Sequence, residues 1–106
     1  MLLREKVILT FGGGRDEDGV VIPPRNVTYR ADVAPLSSQE SYERGRNPSS
    51  VSYRVTLGRL KTGDELDAGS TVFWRGGTYQ VLGPPEQFTV NGRAHHVECI
   101  ITRATG

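Results

Sequence analysis

A single cysteine, Cys99, and a single tryptophan, Trp74, stand in this chain of 106 residues. One cysteine excludes an internal disulfide and any all-cysteine metal site, and it fits a reducing compartment. No apolar run approaches the roughly 20 residues that a bilayer-spanning helix needs. The start, Met1-Leu2-Leu3-Arg4-Glu5-Lys6, acquires charge too early for the apolar core of a signal peptide. The expectation is a soluble protein, made inside the cell, with no membrane partner. An excess of one charge sign is missing too: Lys and Arg number 13 and Asp and Glu 12, for a formal net charge of +1. A protein that grips a phosphate backbone electrostatically shows a stronger basic bias, which disfavours nucleic acid as the primary ligand. A local excess of cations can still face DNA.

Helical periodicity longer than two turns is absent as well, and there is no internal repeat. Hydrophobic residues make up only 36%, while 13 glycines and 6 prolines punctuate the chain. This mix suits short strands joined by many turns, together with long polar loops. A length of 106 residues corresponds to one domain, residues 1–106, large enough for a core without staples.

The densest run of strand formers lies between Ser70 and Arg103. Residues 71–74 (Thr-Val-Phe-Trp) and 78–82 (Thr-Tyr-Gln-Val-Leu) are β-favouring segments separated by Arg75-Gly76-Gly77. A Gly-Gly centre can take φ > 0 at both turn positions, as a tight hairpin of the right twist needs. Gly83-Pro84-Pro85 should then stop the ladder, because two successive prolines remove two amide donors. Residues 86–90 and 93–102 flank Asn91-Gly92, the strongest short-range signal for a two-residue hairpin turn. In the last of these segments Val97, Cys99 and Ile101 share one face, and His96, Glu98 and Thr102 the other, with Ile100 an exception.

Earlier in the chain, residues 3–11 place Val7, Leu9 and Phe11 on one face, with Ile8 interrupting the polar side. Gly12-Gly13-Gly14 ends that strand, and residues 15–19 (Arg-Asp-Glu-Asp-Gly) read as a charged, flexible loop with nothing to bury. Val20-Val21-Ile22 runs into Pro23-Pro24 and is either a short edge strand or a loop anchor. Residues 26–33 alternate most cleanly, with Val27, Tyr29, Ala31 and Val33 inward and Pro35 as terminator. Residues 36–50 read as a long exposed loop with Arg44 and Arg46 at its tip, or as a single helical turn around 38–43 followed by loop. Val51, Tyr53, Val55 and Leu57 alternate inward again, and the connection 58–69 carries Leu66 as its core anchor. The fold class expected is all-β: a small antiparallel barrel or sandwich of about six or seven short strands, with two long loops at about 12–24 and 37–50.

Catalytic and metal-ligating patterns are weak. Adjacent His95 and His96 on a regular strand point to opposite faces, so both rings cannot chelate one ion, and no third ligand has a supporting spacing. Cys99 could be paired with either histidine as a nucleophile and its base, but it falls on the apolar face beside Val97 and Ile101. No helix and no Gly-Lys-Ser/Thr follows Gly12-Gly13-Gly14, so a phosphate loop is unsupported. Asp64 with Asp67, and Asp16 with Asp18, are explained as turn formers. Tyr29, Tyr53, Phe73, Trp74 and Tyr79 fall mostly in the core by alternation, which disfavours a base-stacking platform. The expectation is a non-enzyme with no cofactor and no metal.

The order Asp64-x-Leu66-x-Ala68-Gly69-Ser70-x-Val72-x-Trp74-Arg75-Gly76-x-x-Tyr79-x-Val81-x-Gly83-Pro84-Pro85, followed by His95-His96-Val97-Glu98 and Ile100-Ile101-Thr102-Arg103, resembles the head-to-tail stopper, or head-closure, proteins of long-tailed bacteriophages. Val33-Ala34-Pro35 ahead of a Ser/Gln/Glu loop is similar to that family too. The likeness covers roughly the C-terminal half, and other small tail proteins share the hairpin Arg75-Gly76-x-x-Tyr79-x-Val81-x-Gly83. The resemblance implies a small β-barrel in a homo-oligomeric ring, six- or twelve-fold, at the head–tail interface of a virion assembled in the host cytoplasm. A portal–adaptor ring would lie above it, a tail terminator or tail tube below, and packaged DNA in the channel. It implies further that the loop with Arg44 and Arg46 faces the channel and DNA, and that the loop with Arg15, Asp16, Glu17 and Asp18 contacts the ring or tail. Other readings are a tail terminator or tail-completion protein, and a small β-barrel module for nucleic acid.

Overall fold

A computed structural model describes residues 3–36 and 50–104. These residues form six antiparallel strands: β1 (Glu5–Phe11), β2 (Arg25–Pro35), β3 (Ser50–Gly58), β4 (Thr71–Trp74), β5 (Gly77–Val90) and β6 (Arg93–Ala104). They close into a barrel in the order β1-β2-β3-β6-β5-β4, with β4 pairing back onto β1. The fold is therefore all-β and a closed barrel, which settles the choice between barrel and sandwich.

Closure follows from the alternation of side chains. Val7, Leu9, Ala31, Val55, Leu57, Val72 and Ile101 are fully or almost fully buried, and Phe11, Tyr29, Trp74, Tyr79, Val81, Val97 and Cys99 complete the same core. Each lies on the inward face that the period of two assigns. Tyr53 meets Trp74 and Tyr79 edge-on at one end of the core, with Tyr53 and Trp74 ring centroids 4.7 Å apart. That end is fastened outside by Glu5, whose Oε1 accepts a hydrogen bond from Trp74 Nε1 at 3.1 Å and pairs with Arg75 at 2.8 Å. Phe73, expected among the core aromatics, instead points outward and is exposed.

Because strands alternate in direction around the barrel, connections β1–β2, β3–β4 and β5–β6 emerge at one end, and β2–β3 and β4–β5 at the other. The β3–β4 connection must cross the first end from one side to the other, since β3 and β4 are three places apart in the order. It caps the barrel like a strap, with Leu66 buried in the core beneath it, which is the anchor role expected of that residue. On either side of the strap stand the two hairpin connections, β1–β2 and β5–β6.

Three local expectations are corrected. First, the β4–β5 turn is centred on Arg75-Gly76, not Gly76-Gly77: Trp74 pairs with Gly77, and the positive φ values are 47° at Arg75 and 75° at Gly76. Gly77 serves another purpose. A Cβ there would lie 2.3 Å from the Arg103 guanidinium and 3.1 Å from the Tyr79 ring, so its bareness lets Arg103 lie over Tyr79, 5.0 Å from the ring centroid.

Second, Gly83-Pro84-Pro85 does not end a strand. β5 runs through it to Val90, with Leu82 opposite Ile100 and Glu86 opposite Glu98. Three residues are thus accommodated against Cys99 alone, as a bulge. Among the described residues no strand pairs with the other edge of β5 beyond residue 81, so the missing proline donors disrupt no second ladder.

Third, the segment 12–24, expected as a long loop with a charged, flexible stretch at 15–19, folds back on itself as a miniature hairpin. Arg15 bridges Val21, Asp16 N–H donates to the Val20 carbonyl at 3.0 Å, and Ile22 N–H to the Gly14 carbonyl at 3.0 Å. The Asp16 carboxylate caps the turn by accepting the amides of Asp18 and Val20, both at 2.9 Å. Ile100, the exception in the β6 pattern, is buried although it lies outside the main core cluster.

Candidate functional site

The end of the barrel that carries the strap and both hairpins concentrates the exposed apolar side chains. In the β1–β2 hairpin Val20 is 60% exposed, Val21 59% and Ile22 38%; in the β5–β6 hairpin Val90 is 51% exposed and Phe88 36%. Single exposed apolar side chains are ordinary on a protein surface; what distinguishes this end is that five of them stand on its two projecting hairpins.

The β5–β6 hairpin is built as an arm. Asn91 and Gly92 take φ of 51° and 76° between the pair Val90 and Arg93, as their sequence predicts. The ladder puts Phe88 opposite His96 and then Thr89 opposite Ala94, leaving His95 as an extra residue. This bulge overturns the expectation that His95 and His96 face apart. Their Nδ1 atoms are 2.9 Å apart, one donating to the other, while His96 Nε2 lies 3.3 Å from Glu98 Oε2 and its ring stacks on Phe88 at 4.6 Å. Alternation alone could not reveal this, because a bulge shifts the face of one residue without a sequence signature of its own. Among the described residues no group of three or more His, Cys, Asp or Glu is arranged to hold a metal ion. Two imidazoles without a third donor are a poor metal centre.

The strap is held to the barrel by a polar knot. Tyr29 Oη donates to Asp64 Oδ2 at 2.5 Å and accepts the Lys61 amide at 3.1 Å, while Arg25 pairs with Asp64 Oδ1 at 2.6 Å. The hydrogen bond from Tyr29, and next the one from Arg25, hold the Asp64 carboxyl below its ordinary value. Burial and the bond to Asp64 raise the Tyr29 phenol in turn. A carboxylate of lowered pKa binds fewer protons when folded, so its stabilisation is complete above the ordinary carboxylate pKa and is lost as pH falls through the lowered one. The stability gap between the wild type and Asp64→Asn is therefore expected to be widest near neutrality and to shrink between about pH 5 and pH 2. Melting temperatures at four or five pH values check it; a gap that widens on acidification would contradict it. Asp67 thus sits in a turn, as the sequence implies, whereas Asp64, its side chain only 5% exposed, does more than form a turn and anchors the strap.

Between the strap and the inner face of the arm runs an open cleft of ≈ 880 Å³, with residues 59–67 on one side and Pro85, Gln87 and Ala94 on the other. Its lining is largely polar and holds no convergent pair of acid and base beyond the Asp64 knot. Cys99 lies in the barrel wall, and desolvation pushes its thiol up to about 12, far from a working nucleophile. The native protein is expected to resist thiol reagents at pH 8 and to react stoichiometrically once unfolded; rapid native labelling would show that the wall opens.

No protein-family model and no curated protein matches this chain.

The residues expected at the ring or tail contact divide into two kinds. Asp16 caps the miniature hairpin, and Arg15 donates to the Gly19 carbonyl at 2.8 Å, so both are spent on holding the tip together. Glu17 and Asp18 remain on the exposed surface. Val20 and Val21, expected as a short edge strand or loop anchor, are instead exposed; the signal for this in the sequence is an apolar run set between a glycine and two prolines. Arg44 and Arg46, with the helical turn considered around 38–43, lie outside the described residues. The strands that flank them, β2 and β3, meet at the barrel end opposite the two hairpins. Among the described residues there is no helix long and apolar enough to cross a membrane.

Proposed function

We propose that this chain is a structural ring subunit of the head–tail connector of a long-tailed bacteriophage, a stopper or head-closure protein that seals the DNA-filled head and docks the tail. The observation that carries the reading is the pairing of a closed barrel wall with two projecting hairpins that expose Val20, Val21, Phe88 and Val90. Closure through the β4–β1 pairing leaves little free edge on the wall to recruit other chains at random, and the contacts are assigned to the hairpins. The stopper-like sequence of residues 64–103 adds direction to that reading, since it falls on the strap, on β4 and β5, and on the arm. In this proposal the chain catalyses nothing and binds no cofactor. Its partners are copies of itself in a six- or twelve-fold ring, a portal–adaptor ring above, and a tail terminator or tail tube below. Arg44 and Arg46 are assigned to packaged DNA in the channel, and the protein resides in the virion.

The test is loss of function in the virus that encodes the chain. A nonsense mutation in its gene should yield packaged heads that lose DNA, alongside free tails, by negative-stain microscopy. Purified protein added to the lysate should restore infectious particles. Normal virions without the protein would overturn the proposal, and binding to tail ends but not to portal complexes would move it to a tail-completion role.

A further inference from the structure

We infer that the β1–β2 hairpin of one copy docks on the outer face of the β5–β6 arm of a second copy, in a head-to-tail contact that repeats from subunit to subunit. The inference rests on the ring reading above and names the surfaces that would build it.

Position comes first. Around the barrel the order is β1-β2-β3-β6-β5-β4, so the β1–β2 pair and the β6–β5 pair stand half a circuit apart. Both hairpins emerge at the same end. One subunit thus offers two different surfaces on opposite flanks at one level, which is the arrangement a heterologous, repeating contact requires.

Charge comes second. The β1–β2 hairpin carries Asp16, Glu17 and Asp18 at its turn, and the nearby cation, Arg15, is engaged with the Gly19 carbonyl. Its tip is acidic, with exposed Val20 and Val21 immediately behind. On the arm, the cross-strand pairs Val90 with Arg93 and Phe88 with His96 lie on one face, and the bulge adds His95 beside His96. The carboxylates of that face, Glu86 and Glu98, form the next pair down toward the barrel, and Glu98 is turned to His96. The arm's outer end therefore carries the cation Arg93 beside apolar Phe88 and Val90 and two imidazoles, with its glutamates set further down. Docking of like on like would oppose acid to acid or cation to cation; docking of unlike surfaces matches charge and buries valine against phenylalanine and valine.

Third, the arm needs support. Gly58 of β3 is the last residue to pair with β6, at His96; beyond it residues 89–95 form a two-stranded ribbon, and such ribbons are marginally stable in water alone. A neighbour's hairpin laid across Phe88 and Val90 supplies the third layer.

Two variants test this by sedimentation velocity, with circular dichroism to confirm folding. Glu17→Lys with Asp18→Lys alters the acidic tip and spares the Asp16 cap; Phe88→Ser with Val90→Lys alters the arm and spares its turn. The wild type should form species larger than a dimer as concentration rises, and these should shrink in high salt. Each variant alone should self-associate at least roughly tenfold more weakly. An equimolar mixture should form a 1:1 dimer and stop there, because one intact hairpin then meets one intact arm and both remaining surfaces carry lysines. Variants that assemble like the wild type would overturn these surfaces and leave the ring reading standing. A folded mixture that does not associate would overturn the unlike pairing. A wild type that stays monomeric at millimolar concentration yet binds portal complexes overturns the self-contact alone; one that does neither removes the ring reading as well.

Discussion

Leu57→Ala is expected to destabilise the protein by about 3 kcal/mol, lowering the melting temperature by roughly 12–24 °C. Leu57 has no exposed surface and sits in β3 between Ala31 of β2 and Val97 of β6. The substitution removes buried methyl groups and leaves a void that a closed ladder cannot easily collapse to fill. In an open sheet an edge strand can shift inward; here β3 is held by hydrogen bonds to β2 on one side and β6 on the other, so the cavity penalty persists. A small domain with a stability on the order of 5–15 kcal/mol has little to spare. Val90→Ala, on the exposed arm, should leave the melting temperature within about 2–4 °C of the wild type. Equal effects at the two sites would mean that the core does not lie inside the barrel.

The second large effect is expected at Tyr29. Tyr29→Phe keeps the ring in the core against Phe11, whose centroid is 6.3 Å away, but removes the hydroxyl that joins the strap to β2. The Lys61 amide then loses its acceptor and one oxygen of Asp64 its donor. Both bonds are only part-buried, so water replaces some of what the hydroxyl supplied and the effect on global stability stays below that of Leu57→Ala. The loss should be concentrated in the strap. Exchange of the Lys61 amide should accelerate by roughly ten- to a hundredfold, while amides in β1 and β2 change only with global stability. Uniform acceleration throughout the barrel would show that the knot is no local fastening.

Strand positions and faces were legible because one face of each strand is core and the other solvent, and a period of two survives any choice of neighbour. Val7, Leu9 and Phe11 in β1, and Tyr29 and Ala31 in β2, needed nothing beyond their spacing. The Asn91-Gly92 turn was equally plain, since it depends on two local φ values. Arg75-Gly76-Gly77 was harder: both glycines permit positive φ, and only the distant Arg103 and Tyr79 decide that Gly77 belongs to the strand. Pro84-Pro85 misled for a similar reason, because whether a lost donor matters depends on whether that edge of β5 has a partner. His95 moved because of a bulge that its neighbours do not announce. The acidic segment 15–19 looked too polar to fold, yet its order comes from Asp16 accepting two amides of its own turn rather than from burial. The surface itself, two unlike hairpins on opposite flanks, could not be seen before closure, since the β3–β6 and β4–β1 pairings join residues far apart in sequence.

On the proposed reading, this barrel works by holding two projecting hairpins toward its neighbours in an assembly. Cryo-electron microscopy of the neck of purified virions tests it most directly. The expected image is a ring of six or twelve small barrels between portal complex and tail, with residues 15–22 of each subunit against residues 86–96 of the next. A neck without this chain, or a ring whose subunits meet through the barrel walls while both hairpins stand free in solvent, would contradict it.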